Sequence, residues 1–154
     1  MSQWNSPALW AALCSGSACP ICANGVPTDL VAEMDGSWLS APEQAPVRGY
    51  ACLVSRRHVV ELHELSDPEG AAFMRDLRKA SKALSQVTGA VKLNFEIHGN
   101  TIPHLHVHIY PRYLGDTFEG RPINPKEVVD SVYSPGGYAS FRHHLLHALT
   151  IPDA

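Results

Sequence analysis

With 154 residues, 45% of them hydrophobic, the chain carries enough apolar material for one core, and a single domain over residues 1–154 is expected. A formal charge of −3, with no basic run longer than Arg56-Arg57, argues against binding a long nucleic acid and leaves room for a small anionic ligand. The first basic residue is Arg48, no apolar run approaches the ~20 residues of a membrane span, and four cysteines beside nine histidines favour metal ligation over disulfides, so a cytoplasmic protein without membrane association is expected.

In chain order, Ser6-Pro7 offers an N-cap and a first-turn proline, predicting a short peripheral helix over 7–14 within an arm over 1–18. "DGSWLSA" (35–41) and "GYACLVS" (49–55) predict two strands joined through the turn residues "PEQAP". Ser66-x-x-Glu69 is a capping-box pattern, and Phe73, Leu77, Ala80, Leu84 and Val87 follow at helical spacing up to Gly89, predicting the main helix. "KLNFEIH" (92–98) alternates Leu93, Phe95 and Ile97 with Asn94, Glu96 and His98, and residues 104–110 alternate likewise after "GNTIP", predicting two antiparallel neighbours. Asn124-Pro125 with Glu127 predicts another capped helix, and Phe141, Leu145, Leu146 and Leu149 predict a last one over 138–149. Strands backed by a long helix, with helices following rather than alternating, give an α+β fold whose antiparallel sheet packs one face on the helix and bares histidines on the other.

The stretch "HLHVHIYPR" (104–112) sets His104, His106 and His108 on one strand face about 7 Å apart, with Leu105, Val107 and Ile109 turned to the core. Three uses are open. They can be surface filler, they can supply two neutral ring nitrogens to a metal, or one imidazole can attack an electrophile while a neighbour donates to developing negative charge. Asn94, on the polar face of the adjacent strand, is a candidate for contacting phosphate or ribose or, equally, for a cross-strand hydrogen bond, and Arg112 is surface charge or a group that steers a phosphate. Cys19-Pro-Ile-Cys22 lacks the preceding strand of a redox motif and is read as half of a structural zinc site. Cys14 and Cys52 read as small core residues, His63 and His98 as solvated or hydrogen-bonded surface histidines with zinc ligation as the alternative, and His143, His144 and His147 as a polar face or cap of the last helix.

"HLHVHIY" followed by Pro111-Arg112, with "GNTIP" before it and "LVSRRHVVEL" (53–62) further upstream, resembles the histidine triad (HIT) superfamily over roughly residues 19–113, leaving 114–154 as a C-terminal helical extension. The resemblance implies an α+β nucleotide-binding fold of about five strands and one long helix, forming a homodimer. It implies hydrolysis or transfer at the α-phosphate of a nucleotide, with His106 forming a nucleotidyl-histidine and His108 contacting the phosphate, helped by Asn100, Thr101 and N–H groups of their loop. It further implies zinc held by Cys19, Cys22, His58 and His104, a closed set suited to a structural ion. Asn100 stands where the branches of best-known purine specificity carry glutamine, and the ribose-binding acid or amide of those branches has no clear match in residues 35–50, where Asp35 is a candidate. Dinucleoside polyphosphate hydrolysis is the first expectation; a nucleoside phosphoramidase, or a non-catalytic zinc-stabilised nucleotide-binding module, are the alternatives.

Overall fold

A computed structural model of the chain describes residues 3–124 and 132–151. Helix α1 (Pro7–Cys14) begins on a first-turn proline, as expected. A five-residue helix, α2 (Pro20–Asn24), follows with Pro20 in its first turn and Gly25 closing it at φ 84°. Strands β1 (Leu30–Glu33), β2 (Ser37–Ser40) and β3 (Ala51–Ser55) lead to the long helix α3 (Asp67–Thr88). The Ser66 main-chain N–H and hydroxyl both donate to the Glu69 carboxylate at 2.8 Å, which satisfies an end group the helix itself leaves open, and Gly89 closes the other end at φ 64°. Strands β4 (Lys92–Glu96) and β5 (His106–Arg112) precede the last helix, α4 (Gly137–Thr150). The helix expected from Asn124-Pro125 falls on 125–131, outside the described residues.

The five strands form one antiparallel sheet in the order β1-β2-β3-β5-β4. Leu39, Leu53, Val107 and Ile109 turn one face onto Phe73, Ala80 and Leu84 of α3, and Phe141, Leu145 and Leu149 of α4 extend the same core. On the other face Trp38, Cys52 and Val54 pack beneath Ile21 of α2 and Val26. The turn between β1 and β2 is pinned to α3 by Asp76, whose buried carboxylate accepts from the Gly36 N–H (2.8 Å) and the Ser37 hydroxyl (2.7 Å).

Two expectations shift. β5 starts at His106 rather than His104, because Pro103 has no N–H to give and Leu105 pairs instead with Val59 and Ser55, outside the regular ladder. β4 ends at Glu96, and only Leu93 of its expected apolar face is buried; Phe95 and Ile97 are 42% and 48% exposed on the sheet edge. No helix among the described residues is long and apolar enough to cross a membrane.

Candidate active site and metal centre

The β3–β5 register builds the site. Cys52 lies opposite His108 and Val54 opposite His106, so the two histidines share a sheet face with Cys52, with Tyr50 just before β3 and with Ser40 of β2. Tyr50 is set by Gly49, which turns at φ 81° where a Cβ would meet Thr88 Cγ2 at 2.5 Å. Over this face, α2 and residues 26–29 form the opposite wall of a cleft of about 370 Å³ lined by Ile21, Asn24, Asp29, Tyr50, His106 and His108 among others. No lysine or arginine among the described residues lines it. Asp29 holds φ 55°, the only positive value outside glycine among the described residues.

One chain of hydrogen bonds fixes the ring protons. The His104 carbonyl only accepts, so at 2.6 Å His106 Nδ1 carries its proton and His106 Nε2 is bare. His106 Nε2 lies 3.1 Å from His108 Nε2, which must therefore supply the hydrogen, leaving His108 Nδ1 to accept from the Tyr50 hydroxyl at 2.7 Å. Burial pushes the Tyr50 phenol far up, so it stays a donor. Burial lowers His106, and burial together with the neighbouring His106 and His98 brings His108 down to about 4, so both rings are neutral near pH 7. Of the sequence-predicted groups, then, His106 and His108 come together in the cleft with a bare nitrogen on the middle ring.

Three more predicted residues, Cys19, Cys22 and His58, converge on His104. His104 Nε2 donates to the Ser55 carbonyl (2.7 Å) and His58 Nε2 to the Cys14 carbonyl (2.9 Å), so both rings present bare Nδ1 atoms, 3.2 Å apart. Cys22 Sγ lies 3.4 Å from His58 Nδ1 and 3.8 Å from His104 Nδ1, and Cys19 Sγ lies 3.5 Å from His104 Nδ1. A tetrahedral zinc with bonds of roughly 2.0–2.1 Å to nitrogen and 2.3 Å to sulfur spaces its ligands about 3.3–3.6 Å apart, so the donor set fits such an ion. The carbonyls that take the outer N–H groups are the supporting shell such histidines need.

Other expectations are placed differently. Asn94 and Arg112 meet each other, not the cleft: Arg112 donates to Asn94 Oδ1 (2.6 Å), to both Asp116 oxygens (2.9 and 3.0 Å) and to the Phe118 and Arg121 carbonyls, clamping the loop after β5. Asn100 and Thr101 are exposed, and it is Ile102 of their loop that lines the cleft. Asp35 borders a groove between β1 and α3, away from the histidines, because the Gly36 turn is drawn to Asp76. Cys52 is the small core residue expected within a strand, packed with Trp38 and Val54, and it is also a neighbour of His106 and His108. His98 is the exposed, hydrogen-bonded surface histidine expected, held by Glu96 at 2.9 Å, and its ring also lies 5.7 Å from that of His108. Tyr50 and Cys52 were missed as site residues because only the pairing of β3 with β5 brings them there; the even spacing of Tyr50, just before β3, and Cys52 within it is their one sequence trace.

Comparison with known proteins agrees with this geometry. Residues 24–115, more than half of the chain, match the HIT domain family. The adenosine 5'-monophosphoramidase of Schizosaccharomyces pombe is 29% identical over 117 residues, covering 71% of this chain and 87% of that protein. An AP-4-A phosphorylase of Mycobacterium tuberculosis is 34% identical over 74 residues, 44% of this chain and 38% of that protein, so the chain spans well under half of that relative's length. A histidine triad protein from Bradyrhizobium japonicum superposes with a TM-score of 0.69 at 28% identity, covering 79% of this chain and 91% of that one. The alternating histidines, the bare nitrogen of the middle ring and the matched span together place this chain in the HIT domain family.

Proposed function

We propose that this protein is a nucleotide hydrolase or nucleotidyl transferase acting at the α-phosphate through a covalent intermediate on His106. The observation that carries it is the forced tautomer chain, which leaves His106 Nε2 unprotonated in a cleft sized for one nucleotide. In the first step His106 Nε2 attacks the α-phosphorus, a P–N bond forms, and the bond to the leaving phosphate or amine breaks. The ring becomes cationic and its Nδ1–H rests on the His104 carbonyl. His108 Nε2–H, freed from His106 when that nitrogen bonds phosphorus, is the donor for a phosphate oxygen or for an amine leaving group. The loop of Asn100 and Thr101 reaches the cleft through Ile102, and its N–H groups, with the Asn100 and Thr101 side chains turning inward on a bound nucleotide, would complete the phosphate cradle. Water, or another acceptor, then breaks the P–N bond, releases the mononucleotide and restores His106.

Dinucleoside polyphosphates are the first substrate class, with nucleoside phosphoramidates the alternative; the names of the mycobacterial and yeast relatives support one each. Cys19, Cys22, His58 and His104 would hold a zinc ion whose contribution is structural, tying the N-terminal arm to the strand that bears His106. A reduced thiol pair suits a cytoplasmic setting. A homodimer through β4 is supported by its position at the sheet edge and by exposed Val91, Phe95 and Ile97.

The test is a panel of α-labelled dinucleoside polyphosphates and nucleoside phosphoramidates, scored by released mononucleotide and by an acid-labile nucleotidyl-protein adduct. Wild type is expected to form the adduct and His106→Ala not to. Equal adduct in both would remove His106 as the nucleophile. Binding of nucleotide without turnover of any substrate would favour a non-catalytic binding module instead.

A further inference from the structure

Cys52 introduces a thiol where the catalytic reading needs none. Its Sγ lies with one ring nitrogen each of His106 and His108 in a group whose three ligand atoms are all within 4.8 Å of one another, separate from the Cys19, Cys22, His58 and His104 set. The two Nε2 atoms stand 3.1 Å apart, close to the ~3.3 Å edge of a tetrahedral zinc site. The outer nitrogens are already supported: His106 Nδ1–H on the His104 carbonyl, and His108 Nδ1 against the Tyr50 hydroxyl. All three residues line the open cleft, so an ion has a path in, and the fourth position stays free for water.

We propose that His106, His108 and Cys52 form a second, regulatory metal site, at which a thiophilic divalent cation such as zinc binds and caps the nucleophile. As the ion enters, the Cys52 S–H proton leaves to solvent and an S–metal bond forms. His106 gives the lone pair of Nε2 without changing its tautomer. The His108 proton moves from Nε2 to Nδ1, where the Tyr50 hydroxyl turns from donor to acceptor. One proton is released per ion, and no oxidant or reductant is involved. The same nitrogen that would attack phosphorus is then used in a metal bond, so metal and turnover exclude each other. The thiol makes the site selective: magnesium and calcium take oxygen ligands and pass it by.

The binding part stands without the proposed catalytic function; the inhibition rests on it. The experiment uses protein whose first zinc is retained after brief washing with a weak chelator. Equilibrium dialysis against zinc chloride is expected to load a second equivalent in wild type, with affinity falling at least tenfold in both Cys52→Ser and Cys52→Ala while the first equivalent is kept. Cobalt loaded as the second ion is expected to show a thiolate-to-metal absorption band that both variants lose. Mononucleotide release is expected to fall with occupancy of the second site and to return with chelator. Relative to each protein's own metal-free rate, the zinc concentration for half-inhibition rises at least tenfold in the variants, and magnesium has no such effect. Failure of wild type to take a second equivalent, or unchanged second-ion affinity in the variants, overturns the site. Cys52-dependent binding that leaves turnover intact supports the site and overturns His106 as the nucleophile.

Discussion

Replacing Tyr50 with phenylalanine removes one oxygen and little else. The ring stacks at 5.9 Å on His108 and 5.0 Å on Tyr110, both at 23°, and a phenyl group keeps those contacts. What is lost is the 2.7 Å hydrogen bond to His108 Nδ1, the donor that obliges His108 to hold its proton on Nε2. A neutral hydrogen bond of this kind contributes about 1–1.5 kcal/mol, and the variant leaves a half-buried ring nitrogen without it. If His108 Nε2–H is used in the transition state, that energy appears as a roughly 5–12-fold fall in kcat/KM, carried mainly by kcat. Initial rates of mononucleotide release from a dinucleoside polyphosphate measure it, beside a melting curve to show that the fold is kept. Nitrogen NMR supplies a readout that packing alone would not move: His108 is one tautomer in wild type and a mixture in Tyr50→Phe. An unchanged rate with an unchanged tautomer would refute the argued direction of the hydrogen-bond chain. A loss beyond ~100-fold would mean that the phenol takes part in the chemistry rather than positioning a ring.

Two further outcomes follow from the metal centre and from the clamp on the loop after β5. Cys22→Ser removes one zinc ligand and leaves three; zinc content measured after dialysis is expected to fall from the first equivalent towards zero, and a loss of about 3–4 kcal/mol of folding energy would lower Tm by on the order of 10 °C. Arg112 holds the Asp116 carboxyl at about 2, below its ordinary value near ~4, in an ion pair whose side chains are 11% and 7% exposed. The native state therefore binds fewer protons than the unfolded chain between those values. The clamp contributes fully above about pH 4 and is lost as pH falls through about 2, on the order of 1–2 kcal/mol after screening. Urea unfolding of wild type and Asp116→Asn at pH 6 and pH 3 tests this: the gap between them is expected to narrow at the lower pH, and a gap that widens would contradict the assignment.

What the sequence disclosed follows from where the information lies. Helix α3 was legible to within a residue because Ser66, Glu69 and Gly89 are local signals that flank a long apolar stripe. The triad was legible because alternation along one strand both folds it and arms it. The short elements were not: α2 has its proline and glycine punctuation, but five residues are too few to show a period, and β1 is a four-residue edge strand with no buried residue. Asp35 was misplaced because a turn glycine and a buried acid 40 residues away decide which way that corner faces. Cys52 and Tyr50 belong to the site through cross-strand register alone, a relation that β3 and β5 hold jointly and neither states by itself.

A cleft with no lysine or arginine among its described lining residues responds to ionic strength in its own way. Among the described residues its one acidic lining residue is Asp29, and Arg112, which lies away from the cleft, pairs with Asp116. A phosphate arriving there meets neutral donors rather than a cationic field, so little counterion atmosphere is displaced and there is little long-range attraction for salt to screen. Recognition then depends on contact geometry at short range. Substrate capture by this fold should hold nearly constant from dilute buffer to concentrated salt, where a nucleotide site built on arginines would weaken.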